Sequence, residues 1–489
     1  LTFSAIENLY GGSGSDTFAF AAGAALEGGT GALDGQGGTD LLDYTAYIAG
    51  VTVNLDTGTA TGTAGISQIE NVTGGQAHDF LTGDAENNTL TGGPGNDTYY
   101  FLDGWGNDTV VELAGGGVDA VDFSQITNPL TIAGDGTSLT VGDGTSTATH
   151  TGNHVEKIIG SATQANSLDF SAAASGYAFA LTSLGTATGF QVDVTGVGSF
   201  DNISNLAGSS AATSDVLTTL DAPSTFDIQS STAEYTSTNT LTFSSIDTLN
   251  AGSQTDSFGI NGLPVIDLNA GAGDDDFTFA DGAVLDGSLD GQAGANALSF
   301  LPYTAARQVR LTSLGDSQGF NGTEAALTGG FANIAILVGS ATGQDSFRGA
   351  DLPAAWYLDG TNQYTSTGTL DFSGFERLIG GSQADTFNLS GIQTHDLQGG
   401  SGDDTLTLSD GAVLTGAFDG QAGMDTIDWS LYAARRTLTL TGVGATDGFD
   451  GTDAALSGGF ANLNNFTGSS VAVTDILNGP QQITDWQIG

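Results

Sequence analysis

Three consecutive nine-residue units, GGQAHDFLT, GDAENNTLT and GGPGNDTYY, occupy residues 74 to 100. The third unit has the form Gly-Gly-x-Gly-x-Asp-x-U-x, where U is apolar, at every position. Glycine permits the left-handed backbone that turns carbonyl oxygens inward, and Asp supplies a carboxylate. The apolar position, held by Leu81, Leu90 and Tyr99, is expected to point into the core. The stretch therefore predicts short strands separated by oxygen-lined turns.

The spacing of these units assigns candidate metal ligands. Units on the same side of a coil are two nonapeptides apart, so Asp79 and Asp97 are expected to share one calcium ion, with Asn88 and Asp108 on the other edge. The alternative for each Asp is a turn residue that caps its own backbone, and we favour this alternative for Asp256 and Asp385. The predicted metal-site residues are Asp16, Asp40, Asp79, Asn88, Asp97, Asp108, Asp275, Asp404 and Asp425, with Gly74, Gly92, Gly93, Gly95 and Gly399 shaping the turns.

Charge and composition limit the functions open to the chain. Its 489 residues include 7 Lys and Arg against 56 Asp and Glu, for a formal net charge of -49. Such a field repels nucleic acid, and it repels anionic membranes unless a cation bridges the two surfaces. Because Cys is absent, disulfides and thiolate metal sites are excluded, which leaves calcium as the simplest metal staple. No apolar run approaches the ~20 residues of a membrane span.

The sequence repeats itself at an offset of 129 residues: DGAVLDGSLDGQAG, which starts at Asp281, aligns with DGAVLTGAFDGQAG, which starts at Asp410. Alternating runs such as Leu438-Thr-Leu-Thr predict strands. Turn Asp residues recur 18 or 19 positions apart, and a fixed rung of ~20 residues is typical of a solenoid. We predict four segments, a calcium-binding β-roll at 1–112, a degenerate repeat at 113–232, and module copies at 233–360 and 361–489.

The stretch from 34 to 101 resembles the repeats-in-toxin (RTX) family, with its hemolysin-type calcium-binding repeats. Further matches are Gly11-Gly-Ser-Gly-Ser-Asp16, Ala270-Gly-Ala-Gly-Asp-Asp275 and Gly399-Gly-Ser-Gly-Asp-Asp404. The resemblance implies a parallel β-roll with calcium in its turns, a chain kept unfolded in low cytosolic calcium, and export by a type I secretion system. Ligands carry over only where the motif is intact, and Gln383 replaces one of its glycines.

No motif for catalysis stands out. None of the four His residues belongs to an H-E-x-x-H motif, and the G-x-S-x-G string at 315–319 has no helical pattern after it. We therefore predict that the chain is not an enzyme and has no catalytic residues. Arg307 and Arg436 occupy the same place in the two module copies. Two interpretations are open: a solvated or salt-bridged rung edge that adds little stability, or a repeated contact to the acidic face of a neighbouring module or subunit.

These observations predict an all-β fold, a right-handed parallel β-solenoid or β-roll with calcium-binding turns. The chain starts at Leu1 inside a patterned segment, so we interpret it as an interior piece of a large secreted bacterial protein. The expected function is that of an extracellular structural or adhesive region at the cell surface, acting as a spacer, fibre or surface-layer unit. Its partners would be calcium, further copies of itself, or a cell-surface or carbohydrate ligand. The alternative is the calcium-binding repeat region of a secreted enzyme or toxin whose catalytic domain lies elsewhere.

Overall fold

A computed structural model describes residues 6–152, 154–211, 214–471 and 474–480. The protein is all-β in these residues, where the only helix is the four-residue 3-10 helix Leu26–Gly29. No helix of the described chain has the length and apolar character that a membrane crossing requires. The chain forms two compact units, Leu1–Leu220 with Ser231–Asn250, and Asp221–Ser230 with Ala251–Gly489. The predicted segment boundaries at 112, 232 and 360 stay a prediction.

The strands are short, and most have three to five residues. The first half of the chain contains β1 Asn8–Gly12, β2 Thr17–Ala19, β3 Ala32–Gln36, β4 Leu41–Asp43, β5 Thr52–Asn54, β6 Thr59–Ala60, β7 Gly65–Ser67, β8 Asn71–Thr73, β9 Phe80–Thr82, β10 Thr89–Thr91, β11 Thr98–Tyr100, β12 Asn107–Val111, β13 Ala120–Asp122, β14 Thr131–Gly134, β15 Ser138–Gly142, β16 Thr147–Thr151, β17 Lys157–Ile159, β18 Asn166–Asp169, β19 Ala178–Leu184, β20 Phe190–Val194, β21 Gly198–Ala207, β22 Val216–Thr218, β23 Ser224–Ile228, β24 Ala233–Thr236 and β25 Thr240–Ser244.

The second half contains β26 Thr248–Asn250, β27 Asp256–Ile260, β28 Asp267–Asn269, β29 Asp276–Phe279, β30 Leu289–Asp290, β31 Ala297–Ser299, β32 Gln308–Leu314, β33 Phe320–Glu324, β34 Leu327–Ile334, β35 Ile336–Val338, β36 Ser346–Arg348, β37 Ala354–Leu358, β38 Gln363–Thr365, β39 Thr369–Ser373, β40 Arg377–Ile379, β41 Asp385–Leu389, β42 Ile392–Gln393, β43 Asp396–Ser401, β44 Thr405–Leu408, β45 Val413–Leu414, β46 Phe418–Ala422, β47 Thr426–Asp428, β48 Thr437–Val443, β49 Phe449–Asp453, β50 Leu456–Leu463, β51 Asn465–Thr467 and β52 Ile476–Asn478.

In the first unit, most strands pair in parallel with a strand two or four positions further along the chain. The order β4–β8–β10–β12 stacks Leu42, Val72, Leu90 and Val110 in register. The order β5–β9–β11–β13 stacks Val53, Leu81, Tyr99 and Val121 in register. All of these side chains are buried, so the apolar position of the nonapeptide points into the core as predicted. This mostly parallel pairing is compatible with a β-solenoid or β-roll.

The second unit uses the same alternation with larger side chains. Along β23–β27–β29, the rings of Phe226, Phe258 and Phe277 stack with centroids 4.5 and 4.7 Å apart. Strand residues alternate between this buried row and an outer face rich in Thr, Ser and Asp, as period-2 patterning requires. The apolar stacks therefore hold successive strands in register and fix where each turn lies.

Antiparallel strands interrupt the parallel pairing, which the sequence did not predict. In the second unit the order β30–β34–β33–β32–β36 is antiparallel in its middle and parallel at both ends. Strands β14–β15–β16 form a similar insert in the first unit. A third insert, the antiparallel strands β37, β38 and β39, lengthens the spacing between neighbouring turns, so that the Asp345 N–H donates to Glu376, 31 residues away. The ~20-residue rung therefore holds only between inserts.

The 129-residue repeat is reproduced strand by strand. Strands β32, β33 and β34 begin at Gln308, Phe320 and Leu327, and β48, β49 and β50 begin 129 residues later in each case. Each insert also contains a buried ion pair, in which Arg307 Nε lies 3.3 Å from Glu324 and Arg436 Nη2 lies 2.7 Å from Asp453. Both guanidinium groups also lie over tyrosine rings. The repeated arginines thus form salt bridges within their own modules, and these salt bridges are buried.

Candidate functional site

Acidic side chains in successive turns on one edge form hydrogen-bonded rows, here called turn rows. In the first unit, the Asp79 N–H donates to Asp97 Oδ1 at 2.8 Å, and the Asp97 N–H donates to Asp119 Oδ1 at 2.7 Å. The row ends where the Asp119 N–H donates to Glu156 Oε2 at 2.8 Å. Asp97 and Asp119 therefore each use Oδ1 to hold the preceding turn, and their Oδ2 atoms have no hydrogen-bond partner among the described residues.

The same arrangement recurs in both units. The first unit has the turn rows Asp16–Asp40–Glu70, Asn88–Asp108 and Asp215–Asp247. The second unit has the turn rows Asp256–Asp275–Asn296, Asp345–Glu376 and Asp385–Asp404–Asp425–Asn464. All nine predicted ligands lie in these rows.

The residues that the nonapeptide spacing pairs lie in neighbouring turns. Asp79 and Asp97 end the turns that join β8 to β9 and β10 to β11, on one edge. Asn88 and Asp108 lie at the other edge, where the Asn88 N–H donates to Asp108 Oδ1 at 2.8 Å. Whether each pair shares an ion stays a prediction.

Asp256 and Asp385 were expected to be backbone-capping turn residues without a metal. Asp385 does cap its own turn, because the Gly381 N–H donates to its Oδ2 at 2.6 Å. However, Asp79 accepts the same kind of bond from the Gly75 N–H at 2.5 Å. Capping therefore does not distinguish the predicted capping residues from the predicted metal ligands. Asp256 and Asp385 lie in the same turn rows as Asp275 and Asp404, and all four are buried. A degraded nonapeptide therefore still places its Asp in a turn row.

In several of the rows, a glycine beside the turn leaves space between two oxygens. A Cβ on Gly74 would overlap Asp79 Oδ2 and the carbonyl oxygen of Gly92, and a Cβ on Gly399 would overlap Asp404 Oδ2 and the carbonyl oxygen of Gly420. We call this space a glycine notch. It pairs a carboxylate of one turn with a carbonyl of the next turn, and it recurs at Gly11, Gly35, Gly74, Gly339, Gly380, Gly399 and Gly420.

The predicted glycines thus serve two different purposes. Gly93 and Gly95 have φ values of 96° and 152°, which L side chains rarely adopt, as the sequence predicts for left-handed turn residues. Gly74, Gly92 and Gly399 are instead required because a side chain there would occupy the space beside the carboxylate. The second requirement was not predicted, since it depends on the distance between two turns.

Several buried carboxylate oxygens find no hydrogen-bond partner among the described residues. They are Oδ2 of Asp40, Asp97, Asp108, Asp119, Asp275, Asp404 and Asp425. A buried unpaired carboxylate is costly, and it is stabilised either by a proton or by a cation. Oxygen ligands of this kind, carboxylate together with backbone carbonyl, are those that calcium prefers.

Burial and neighbouring charges shift the titration of these groups. Burial raises the pKa of Asp275, Asp404 and Asp425 to about 7, and the adjacent carboxylate in each turn row adds to the shift. Burial also raises the pKa of Asp108 to about 7 and that of Asp97 to about 6, and it raises the pKa of Asp79. Without a cation, these buried Asp carboxyl groups therefore bind protons near neutral pH.

Asparagine completes some rows in a different way. Asn296 stands where Asp425 stands in the next module copy, and its Nδ2–H donates to the Asn333 carbonyl at 3.2 Å. Asn166 makes the same kind of bond to the Asn202 carbonyl at 2.9 Å. The amide thus supplies a donor where an Asp would place a second oxygen. Notches that contain Asp fit a hard cation, whereas these Asn turns are satisfied without one.

Nine row members were missed from sequence, namely four acids that share a short pattern and Asp119, Asp215, Asn296, Asp345 and Asn464. Glu70, Glu156, Asp247 and Glu376 each accept the N–H of an Asp that lies 30 to 37 residues earlier. All four occur in the same short pattern, an apolar residue followed by the acid, as in IEN, VEK, IDT and FER. This pattern precedes each of the corresponding turns, and it is the feature of the sequence from which these four acids could have been predicted.

The weaker candidates for other chemistry do not assemble a site. Ser317 lies in the loop that joins the antiparallel strands β32 and β33, where its N–H donates to Asn333 Oδ1 at 3.0 Å. A nucleophile elbow instead joins a strand to a helix. His150 is buried, and its Nε2 accepts the backbone N–H of His154 at 3.4 Å.

Comparison with protein-family models finds no match to this chain, and comparison with curated proteins finds none either. The functional argument therefore rests on the turn geometry and on the sequence pattern.

Proposed function

We propose that the chain is a calcium-stabilised structural or adhesive repeat region of a large secreted bacterial protein, built as a right-handed β-solenoid. The observation that carries the proposal is the glycine notch, which repeats along both units and places a buried carboxylate oxygen beside a backbone carbonyl. An ion bound there would join two successive turns. Its effect would be on folding and stiffness, because each notch lies between turns that the ion would hold together.

The chemistry of the notches favours calcium over other metals. The turn rows consist of carboxylates, amides and carbonyls, with no Cys in the chain. Zinc and copper prefer nitrogen or sulfur ligands, whereas calcium takes six to eight oxygens in a flexible arrangement. The formal charge of -49 adds a general attraction for divalent cations. Calcium would therefore relieve both the local and the global repulsion.

The location follows from the same requirement. A chain that needs calcium to fold stays unfolded where calcium is scarce, as in the cytosol, and folds outside the cell, where the ion is abundant. This behaviour agrees with what the RTX resemblance implies, export through a type I secretion system. The folded region would act as a spacer, fibre or surface-layer unit, and self-association or binding to a surface carbohydrate would be its adhesive function.

Circular dichroism and analytical ultracentrifugation of the 489-residue chain test the proposal. With excess chelator at neutral pH, we expect little β signal, and calcium should restore it, whereas magnesium at the same concentration should do so less effectively. An identical folded spectrum with and without calcium would contradict the proposal. Association that strengthens with calcium favours the fibre, and a folded monomer at every calcium level favours the spacer or a carrier for a separate enzyme.

A further inference from the structure

One turn of the first unit differs from its neighbours by an additional acid. Gly74 follows β8 and Gly92 follows β10, but the equivalent residue after β12 is Glu112. Because Thr91 and Val111 are paired in register, Glu112 lies beside Gly92. No glycine notch can form at residue 112 itself. Its side chain instead reaches into the notch of the preceding turn.

Three carboxylates meet at this point. Asp97, Glu112 and Asp119 each offer an oxygen, and the three oxygens lie within 4.8 Å of one another. A Cβ on Gly92 would overlap Asp97 Oδ2, Glu112 Oε1 and Tyr99 Oη. These three atoms therefore surround the space that the glycine leaves. The Tyr99 hydroxyl also donates a hydrogen bond to Glu112 Oε1.

The second oxygens of this cluster are unsatisfied. Asp97 Oδ2, Glu112 Oε2 and Asp119 Oδ2 have no hydrogen-bond partner among the described residues. The residues are 1%, 5% and 1% exposed, so water does not solvate them freely. The ion pairs found in the described chain all involve arginines of the second unit. Three buried acids thus face one another without a basic side chain to neutralise them.

We infer that Asp97, Glu112 and Asp119 form a divalent-cation site that binds its ion more tightly than the other turns do. This inference rests on the proposed function only for the choice of calcium as the ion. A typical glycine notch offers one carboxylate oxygen and one carbonyl, whereas this site offers carboxylates from three residues. Affinity in calcium sites rises with the number of charged ligands and with the rigidity of the site. Glu112 is therefore the residue that sets this turn apart.

The competing state is a shared proton. Burial raises the pKa of Glu112 to about 8 even though the Tyr99 hydrogen bond opposes the shift. A protonated Glu112 between two Asp residues would satisfy part of the cluster without any metal. The two states differ in their response to ions: only the metal site loses ion affinity when Glu112 becomes an amide.

Terbium luminescence provides a local probe, because a lanthanide takes the same oxygen ligands as calcium and is sensitised by a nearby tyrosine. We expect the full chain to show a first, tight terbium step that calcium displaces. Glu112→Gln should weaken that step by about tenfold or more, since it removes a charged ligand. Asp404→Asn, in a turn of the second unit, should leave the first step unchanged.

The outcomes separate this inference from the proposed function. If Glu112→Gln binds the first ion as tightly as the wild type, the site is not built by Glu112 and the inference fails, while calcium binding elsewhere leaves the proposed function standing. If the wild type binds neither ion, both fail. Glu112→Asp keeps the charge on a shorter side chain, and circular dichroism checks that each variant folds. A Glu112→Asp affinity between those of the wild type and Glu112→Gln would support the assignment.

Discussion

The two module copies contain a natural test of calcium in the turns, because the row Asp256–Asp275–Asn296 and the row Asp385–Asp404–Asp425 differ at their third member. Asp425 Oδ2 and the Asn462 carbonyl both border the space beside Gly420, and Oδ2 has no partner among the described residues. We expect Asp425→Asn to donate to that carbonyl, as Asn296 does to the Asn333 carbonyl. The substitution would replace the cation by a hydrogen bond.

The expected change in the free energy of unfolding follows from the raised pKa of Asp425. Its pKa is raised from the ordinary 3.8 to about 7 in the folded chain, and each pKa unit corresponds to about 1.4 kcal/mol. Without calcium at pH 8, the ionised Asp425 therefore costs up to about 4 kcal/mol of stability, and Asp425→Asn should recover about 2 to 4 kcal/mol. At a calcium concentration about 100 times the dissociation constant, the wild type regains about 2.7 kcal/mol that the variant cannot. The advantage of the variant should shrink by that amount.

Urea unfolding monitored by tryptophan fluorescence measures the stability of the wild type and of Asp425→Asn with and without calcium. The signal is suitable because Trp356 and Trp429 are fully buried in the second unit. The reciprocal variant, Asn296→Asp, should lose stability in chelator and gain a calcium dependence that the wild-type turn lacks. If Asp425→Asn changes the free energy of unfolding equally with and without calcium, no cation binds at Asp425 and the argument from the notch is wrong.

Three further variants or conditions probe the same structure. Gly399→Ala should cost about 1 to 3 kcal/mol of stability and remove one bound calcium by calorimetry, because its Cβ would fill the notch, whereas Gly442→Ala, which has open space, should be neutral. Arg436→Gln should destabilise the protein by about 3 to 5 kcal/mol in thermal or urea unfolding, because it leaves Asp453 buried and unpaired. The control is Arg435→Gln, since Arg435 is exposed. Equal effects of the two substitutions would refute the role of the ion pair. In chelator, stability should fall as the pH rises from about 5 to about 8, because folded Asp404 holds its proton to a pKa of about 7 and the unfolded chain loses it near 3.8; a rise in stability over that range would contradict this.

Local pattern predicted much of the fold and about half of the turn-row residues taken together, but no member of the rows Asp215–Asp247 and Asp345–Glu376. The nonapeptides fix both the apolar residue and the turn Asp within nine positions, so Leu81, Tyr99, Asp79 and Asp97 could be placed from sequence alone. Row members beyond an antiparallel insert could not be placed in this way. Glu376, for example, lies 31 residues from its partner Asp345, a separation set by the length of the insert and not by a repeating unit.

We expect the residue that follows two acids in the matching rows of the module copies, Asn296 or Asp425, to determine how much that turn depends on an ion. When an amide ends the row, as Asn296 does, its N–H reaches the facing carbonyl and the turn closes by hydrogen bonding alone. When a carboxylate takes the same place, as Asp425 does before the row continues to Asn464, its Oδ2 faces the Asn462 carbonyl without a hydrogen-bond partner among the described residues, so a proton or a cation would stabilise it. The exchange of Asn296 for Asp425 at the same place in the two copies would thus change the ion requirement of that turn. Module duplication followed by such exchanges would let one fold carry turns of graded calcium dependence.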